Sequence, residues 1–445
     1  MDNSILLVSK NDINFIKLLK FIIPTYLSSL FTTFYTIIDG IFVSTYVGTN
    51  ALASINIVYP IVNVLSGIAL AFATGGSAVS AIYIGGEKKA EANRSFSVNF
   101  FVSILLGCFV SLIILFNLSK ILNFLGASEL TIAECKTYAL WWLYATPIVI
   151  GKELCVYYIR VDDSPTYSLI TALSGGLLNI LLDYIFIGIF KMGVSGAALA
   201  TIMGLLLSFV IGIYYFIRKH KFFTFTTQNL SILEAFRCMI NGASEFVDQL
   251  AIAITTIVFN RTAFIFAGEN GIAAVSIIMY LQFIFIGIYF GFSMGIAPPL
   301  SYAYGDKNIE NCKKIEKYAY RFFTISPLII YSVAYLLAPI SISFFANTSS
   351  PVYAIAVSGM RIYGLGFLFS GINIFAAVRM MAYGRGYFSG LITFLRSFAL
   401  LLLFLTILPQ RFDLLGLWLA MPVAELLTLV VSMWFLHTIR VKKID

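Results

Sequence analysis

The feature that most constrains this chain is the recurrence, about a dozen times, of apolar runs close to or beyond twenty residues. A helix needs about twenty such residues to cross the hydrocarbon core of a bilayer, and backbone that meets lipid must satisfy its own hydrogen bonds. The runs fall at 15–45, 52–83, 95–118, 137–158, 166–188, 194–217, 233–266, 271–303, 318–345, 352–378, 386–408 and 413–438. Short segments of alternating polarity, the sign of a transmembrane barrel, are missing. The first run starts near Phe15 and continues past Val43, too long for a cleavable signal peptide. Composition agrees: 60% of the 445 residues are hydrophobic and 11% charged, against about half and a quarter in soluble domains. The fold class is therefore an all-α polytopic membrane protein with twelve transmembrane helices.

Charge sets the orientation. With both termini on one side, eighteen Lys and Arg fall on that side, among them Lys10, Lys88, Arg160, Lys313, Arg440, Lys442 and Lys443. Only Lys120, Lys136, Lys191 and Arg411 fall opposite. Basic residues mark the cytoplasmic side, so both termini are expected there, in a multi-pass protein of the cell membrane. The net charge of +8 then reports topology rather than nucleic-acid binding.

The halves repeat. Ala53/Ala273, Ile57/Ile277, Phe72/Phe292, Gly75/Gly295, Gly85/Gly305, Gly196/Gly416, Leu199/Leu419 and Ala200/Ala420 share one offset of 220 positions. Each copy holds six helices and enters the membrane in the same sense. Two pseudo-symmetric six-helix bundles are expected, related by an axis along the membrane normal, with a cavity between them. The lobes are 1–217 and 233–445, joined by a polar cytoplasmic linker at 218–232.

The stretch 175–201, GGLLNILLDYIFIGIFKMGVSGAALAT, reads as two helices around a hairpin at Lys191 to Ser195. Asn179 and Asp183 are four apart and share one face of the first helix. Asp183 and Thr201 lie roughly 9–12 Å below the hairpin, and Asp39 roughly 13 Å inside the outer loop at Gly48. A carboxylate at such depth is costly and marks a functional site by default. The alternative is that each acid makes a private hydrogen bond to a neighbouring helix. Two nearby acids in low dielectric cannot both ionise cheaply, so one can take up and release H⁺. The same oxygens, with Asn179 and Thr201, could instead hold Na⁺. The residues leave H⁺ and Na⁺ both open.

In the second half, NGASEFVDQLA places Glu245 and Asp248 three apart on one helix face, with Gln249 beside them. They are candidates to line the cavity and attract a cationic substrate; a solvated helix entrance is the rival reading for Asp248. Glu425 reads as a structural ion pair with Arg396 or Arg361, while Arg261 and Arg379 carry no assignment. Cys108, Cys135, Cys155, Cys238 and Cys312 show no CxxC spacing and read as packing residues. His220 and His437 flank helix ends, Walker and GxSxG spacings are absent, and the paired glycines read as close-packing positions. No cofactor is expected.

Three stretches, DGIFVSTYVGTNALASINIVYP, the glycine-rich helix end running into GGEKKAEAN, and NILLDYIFIGIFKMGVSGAALAT, resemble the multidrug and toxic compound extrusion (MATE) transporters. GIAPPLSYAYGDKN and LPQRFDLLGLWLAMPVAELLT resemble their second-lobe counterparts. The resemblance implies two six-helix lobes, a V-shaped central cavity and efflux driven by inward Na⁺ or H⁺ flow. The DinF-like branch of that family places a cation site on the residues that stand here as Asp39, Asn179, Asp183 and Thr201. The expectation is a monomeric secondary transporter, not an enzyme, that exports small, cationic, amphipathic organic compounds by alternating access. A lipid-linked precursor flippase would need several cavity cations for phosphate. A membrane-embedded enzyme, such as an acyltransferase, would need a His, Ser or Cys constellation at membrane depth.

Overall fold

A computed structural model describes residues 13–439. Lys10, Arg440, Lys442 and Lys443, counted above for orientation, lie outside the described residues, as do both termini. Helix follows helix in chain order: α1 (Phe15–Tyr46), α2 (Thr49–Gly85), α3 (Lys89–Phe116), α4 in two arms (Ile132–Tyr144 and Thr146–Val161), α5 (Pro165–Asp183) and α6 (Gly193–Arg218). The arms of α4 meet at a 53° bend, where Pro147 falls in the first turn of the second arm, a position that tolerates its missing N–H.

A single helical run, Ala243–Gly305, covers 63 residues. At the helical rise it would be roughly 95 Å long, far beyond one bilayer. It breaks at Gly268 (φ 58, ψ −146), and the parts 243–267 and 269–305 are α7 and α8. Then come α9 (Ile309–Ser343), α10 (Pro351–Ala382), α11 (Gly386–Ile407) and α12 (Pro409–Thr438). Among the described residues these make twelve apolar spans, the bent pair being one and the long run two.

The 220-residue offset reappears as backbone geometry. Left-handed corners occur at Gly48 and Gly268 (φ 112 and 58), Glu87 and Lys307 (φ 60 and 56), and Gly193 and Asp413 (φ 60 and 48). Each pair turns the chain at the same point of the two repeats. The ends of α2 and α8 touch reciprocally: a Cβ on Gly85 would lie 2.1 Å from the Tyr302 carbonyl oxygen, and one on Gly305 2.0 Å from that of Ile82. Only glycine allows backbones to approach so closely. The two repeats are therefore pressed together at the end that carries Lys88 and Lys307.

One difference from the sequence expectation concerns the connection. The run 233–266 is not one helix. A short amphipathic helix, Ile232–Asn241, ends at Gly242, which fits against the Ala71 carbonyl of α2 with no room for a side chain. The stretch before it is docked on the first half. The buried Asp162 carboxylate accepts the backbone N–H groups of Lys221, Phe222 and Phe223 at 2.6, 2.6 and 3.1 Å. Asn93 and Ser97 of α3 accept those of Thr224 and Thr226 at 3.0 and 2.9 Å. Phe223 is fully buried beside Phe96.

Candidate functional site

Helix packing brings the first four candidates together. Gly176 of α5 lets α1 in close, since a Cβ there would come within 2.5 Å of Phe31 and 3.2 Å of Tyr35. Two turns beyond Phe31, and seven residues beyond Gly176, the same faces carry Asp39 and Asp183. On the other side of α5, Gly204 of α6 packs on the Gly175 carbonyl and on Asn179 Cβ. That contact sets Thr201 beside Asn179, whose Nδ2 donates to Thr201 Oγ1 at 3.4 Å. Thr201 Oγ1 itself donates to the Ala197 carbonyl at 3.0 Å. The threonine thus steers the amide.

Four oxygens of the group have no hydrogen-bond partner among the described residues. Asp183 is 0% exposed and Asn179 2%. The Asp183 carboxyl lies beside the Asp39 carboxyl and the Asn179 amide. Asp183 Oδ1 and Oδ2, Asn179 Oδ1 and Asp39 Oδ1 are all buried and unpartnered. An unsatisfied buried polar atom costs on the order of 1–3 kcal/mol, and more when charged. Four together, two of them on one carboxylate, form an acceptor-only cluster that a proton or a hard cation fits. Immediately after Asp183 the helix widens into a π-turn, Tyr184–Ile189, a distortion frequent at functional sites. Tyr59 and Tyr138 stand within electrostatic reach of Asp39.

The second-half candidates separate. Glu245 is 7% exposed and neighbours Asp248, which accepts from Ser397 Oγ at 2.6 Å. Gln249 meets α2, its Cβ against Gly67. Glu425 pairs with Arg396 at 2.8 Å and accepts from Asn373 at 2.7 Å. Arg361 lies over the Tyr335 ring, and Arg379 pairs with Glu316. Arg396 also faces Glu245 and Asp248, so three carboxylates surround one guanidinium and the region keeps an excess of negative charge.

Sequence reasoning missed two features of α4. Lys152 and Glu153, adjacent inside the apolar run, pair at 2.8 Å while largely buried. Arg160, read from sequence as a loop cation, lies within the second arm of α4, 5% exposed, against the Tyr157 ring at 4.7 Å. It borders a small void shared with Thr74, Ser77, Met294, Pro298 and Met381, and its Nε is unpartnered. A charge inside an apolar run was the available signal for Lys152 and Glu153; Arg160, two residues past the end of the run 137–158, offered none.

A family model described as MatE matches residues 24–185 and 245–407. The multidrug export protein MepA of Staphylococcus saprophyticus is 23% identical over 443 residues, which cover 95% of this chain and 93% of that protein. MepA of Staphylococcus haemolyticus is 24% identical over 435 residues, with the same coverage. Among solved structures, the outward-facing conformation of a multidrug resistance MATE family transporter of the MOP superfamily superposes with a TM-score of 0.88 at 22% identity, covering 94% of each chain.

Proposed function

Because the chain belongs to the MatE family, whose members are secondary transporters rather than enzymes, we propose that it exports small organic compounds in exchange for inward H⁺ or Na⁺. The observation that carries the reading is the buried cluster of unpartnered oxygens on Asp39, Asn179 and Asp183. Two carboxylates in contact repel when both are ionised, and a proton or Na⁺ between them removes the repulsion. Bound ion thereby favours α1 against α5, and ion loss disfavours that packing. An ion that binds one conformation more tightly than the other supplies the bias an exchanger needs. Thr201 orients Asn179 as the neutral ligand of the set.

Substrate is assigned to the space between the lobes, 1–217 and 233–445. Glu245 and Asp248 favour cationic, amphipathic compounds there, since Arg396 offsets only part of the surrounding negative charge. The named multidrug exporters among its relatives support a broad substrate range. The transporter sits in the cell membrane with both termini cytoplasmic, works as a monomer and needs no cofactor beyond the coupling ion. The test is purified protein in liposomes loaded with a cationic dye. Efflux that follows an imposed H⁺ or Na⁺ gradient is the expected result. Dye movement equal with and without both gradients contradicts the reading.

A further inference from the structure

Among the described residues, the two repeats differ on one helix face. On α3, Asn93, Ser97 and Phe101 stand one turn apart, and the connection 221–226 lies over them. Thr224 and Thr226 bond to Asn93 and Ser97, and Phe225 packs at a tilt against Phe96 and Phe101 with ring centroids 4.7 and 6.1 Å away. Shifted by 220 positions, the same stripe on α9 is Lys313, Lys317 and Arg321. Here no described segment covers it. All three cations are exposed, and with Tyr320 and Thr324 they border a shallow open cleft. The acid in that cleft, Glu316, stands where α3 has Phe96, and its charge is taken by Arg379 and by the Tyr383 hydroxyl at 2.6 Å. Lys314, on the next stripe, is held by Glu310 at 2.8 Å. Among the described residues, the cleft therefore presents three positive charges with no acid paired to them.

Further along, the same face is apolar and outward: Ile325, Leu328 and Ile329 are 60%, 64% and 57% exposed. On a helix that crosses the bilayer, such a face meets acyl chains. We propose that this stripe of α9 is a binding site for one anionic phospholipid, its phosphate among Lys313, Lys317 and Arg321 and an acyl chain along Ile325, Leu328 and Ile329. Lys and Arg reach from buried stems toward a headgroup in this way. The segment Arg440–Asp445, which follows α12 as the connection follows α6, has the sequence RVKKID. Its three cations match the cleft in sign, whereas the connection brings Phe223 and Phe225 to α3. A lipid anion complements what that segment does not. The leaflet follows from the orientation proposed above; the site itself does not depend on coupling or substrate.

The test is native mass spectrometry of the full-length protein titrated with dioleoylphosphatidylglycerol or dioleoylphosphatidylcholine. One phosphatidylglycerol should remain bound in preference to phosphatidylcholine. Lys313→Gln/Lys317→Gln/Arg321→Gln should weaken its retention on the order of a hundredfold, and Arg321→Gln alone about fivefold, at the usual contribution of a surface cation. Lys88→Gln/Lys89→Gln/Lys307→Gln, an equal loss of charge at the same end, should retain it. Equal loss in both triple variants, equal retention of the two lipids, or displacement by inorganic phosphate at concentrations comparable to the lipid's would overturn the site. Should the triple variant not fold, the single variant measured against the control decides.

Discussion

Replacing Gly85 with alanine should drive the two repeats apart at the end that carries Lys88 and Lys307. The new methyl would start 2.1 Å from the Tyr302 carbonyl oxygen, while ordinary contact begins at 3.4 Å. The difference, about 1.3 Å, must come from backbone separation, because the obstacle is a carbonyl and not a flexible side-chain tip. Overpacking of this kind costs about 1–3 kcal/mol. Charged only to the conformation closed at this end, that cost shifts the balance with the open one roughly 5- to 150-fold. Gly305→Ala meets the Ile82 carbonyl at 2.0 Å and should act alike. Gly390→Ala, whose nearest neighbour would be 3.5 Å away, is the matched control. Spin labels at Lys88 and Lys307, read by pulsed dipolar spectroscopy in liposomes, report the separation. Both glycine variants should gain a longer-distance population, and the control should not. An unchanged distribution in Gly85→Ala, or the same shift in Gly390→Ala, would refute the reasoning.

The remaining expectations concern charge and topology. Glu245→Gln should weaken efflux of cationic dyes while sparing a neutral substrate in the same liposomes; equal loss for both would remove the residue from substrate recognition. Arg396→Met should lower thermal stability in detergent by about 3–5 kcal/mol, since it strands the buried Glu425 carboxylate. Arg396→Met/Glu425→Leu should recover most of that loss, and a double variant as unstable as the single would contradict the pairing. Cysteines at Lys89 and Ile309 should react with an impermeant maleimide only from the cytoplasm, and those at Lys191 and Arg411 only from outside; the reverse pattern would invert the orientation.

The spans were legible because hydrophobic length alone specifies a membrane helix, and the repeat because glycine and turn positions keep register across 220 residues. Gly85 and Gly305 were visible as a pair; that each rests on a carbonyl of the other repeat required the packing. The bend between Tyr144 and Thr146 left one mark, Pro147, which the apolar pattern of the run 137–158 passes over. The docked connection was hidden, since its hold depends on Asp162, about sixty residues upstream and unremarkable as a loop acid. Depth counting placed Asp39, Asp183 and Thr201 at one level, helix periodicity put Asn179 on the face of Asp183, and the fold brings the four side by side. Counting could not tell Arg396 from Arg361 as the partner of Glu425, because both lie on helices that reach α12's neighbourhood. That choice belongs to helix rotation, which local sequence does not set.

The most direct test of the coupling site is efflux of a cationic dye by Asp39→Asn/Asp183→Asn in liposomes, with H⁺ and Na⁺ gradients imposed in turn. Asparagine keeps nearly the shape of each side chain and removes the charge that a proton or Na⁺ neutralises. The variant should insert, and it should equilibrate dye without concentrating it under either gradient. Gradient-driven export at the level of the unaltered protein would contradict the account and turn attention to the acids around Arg396.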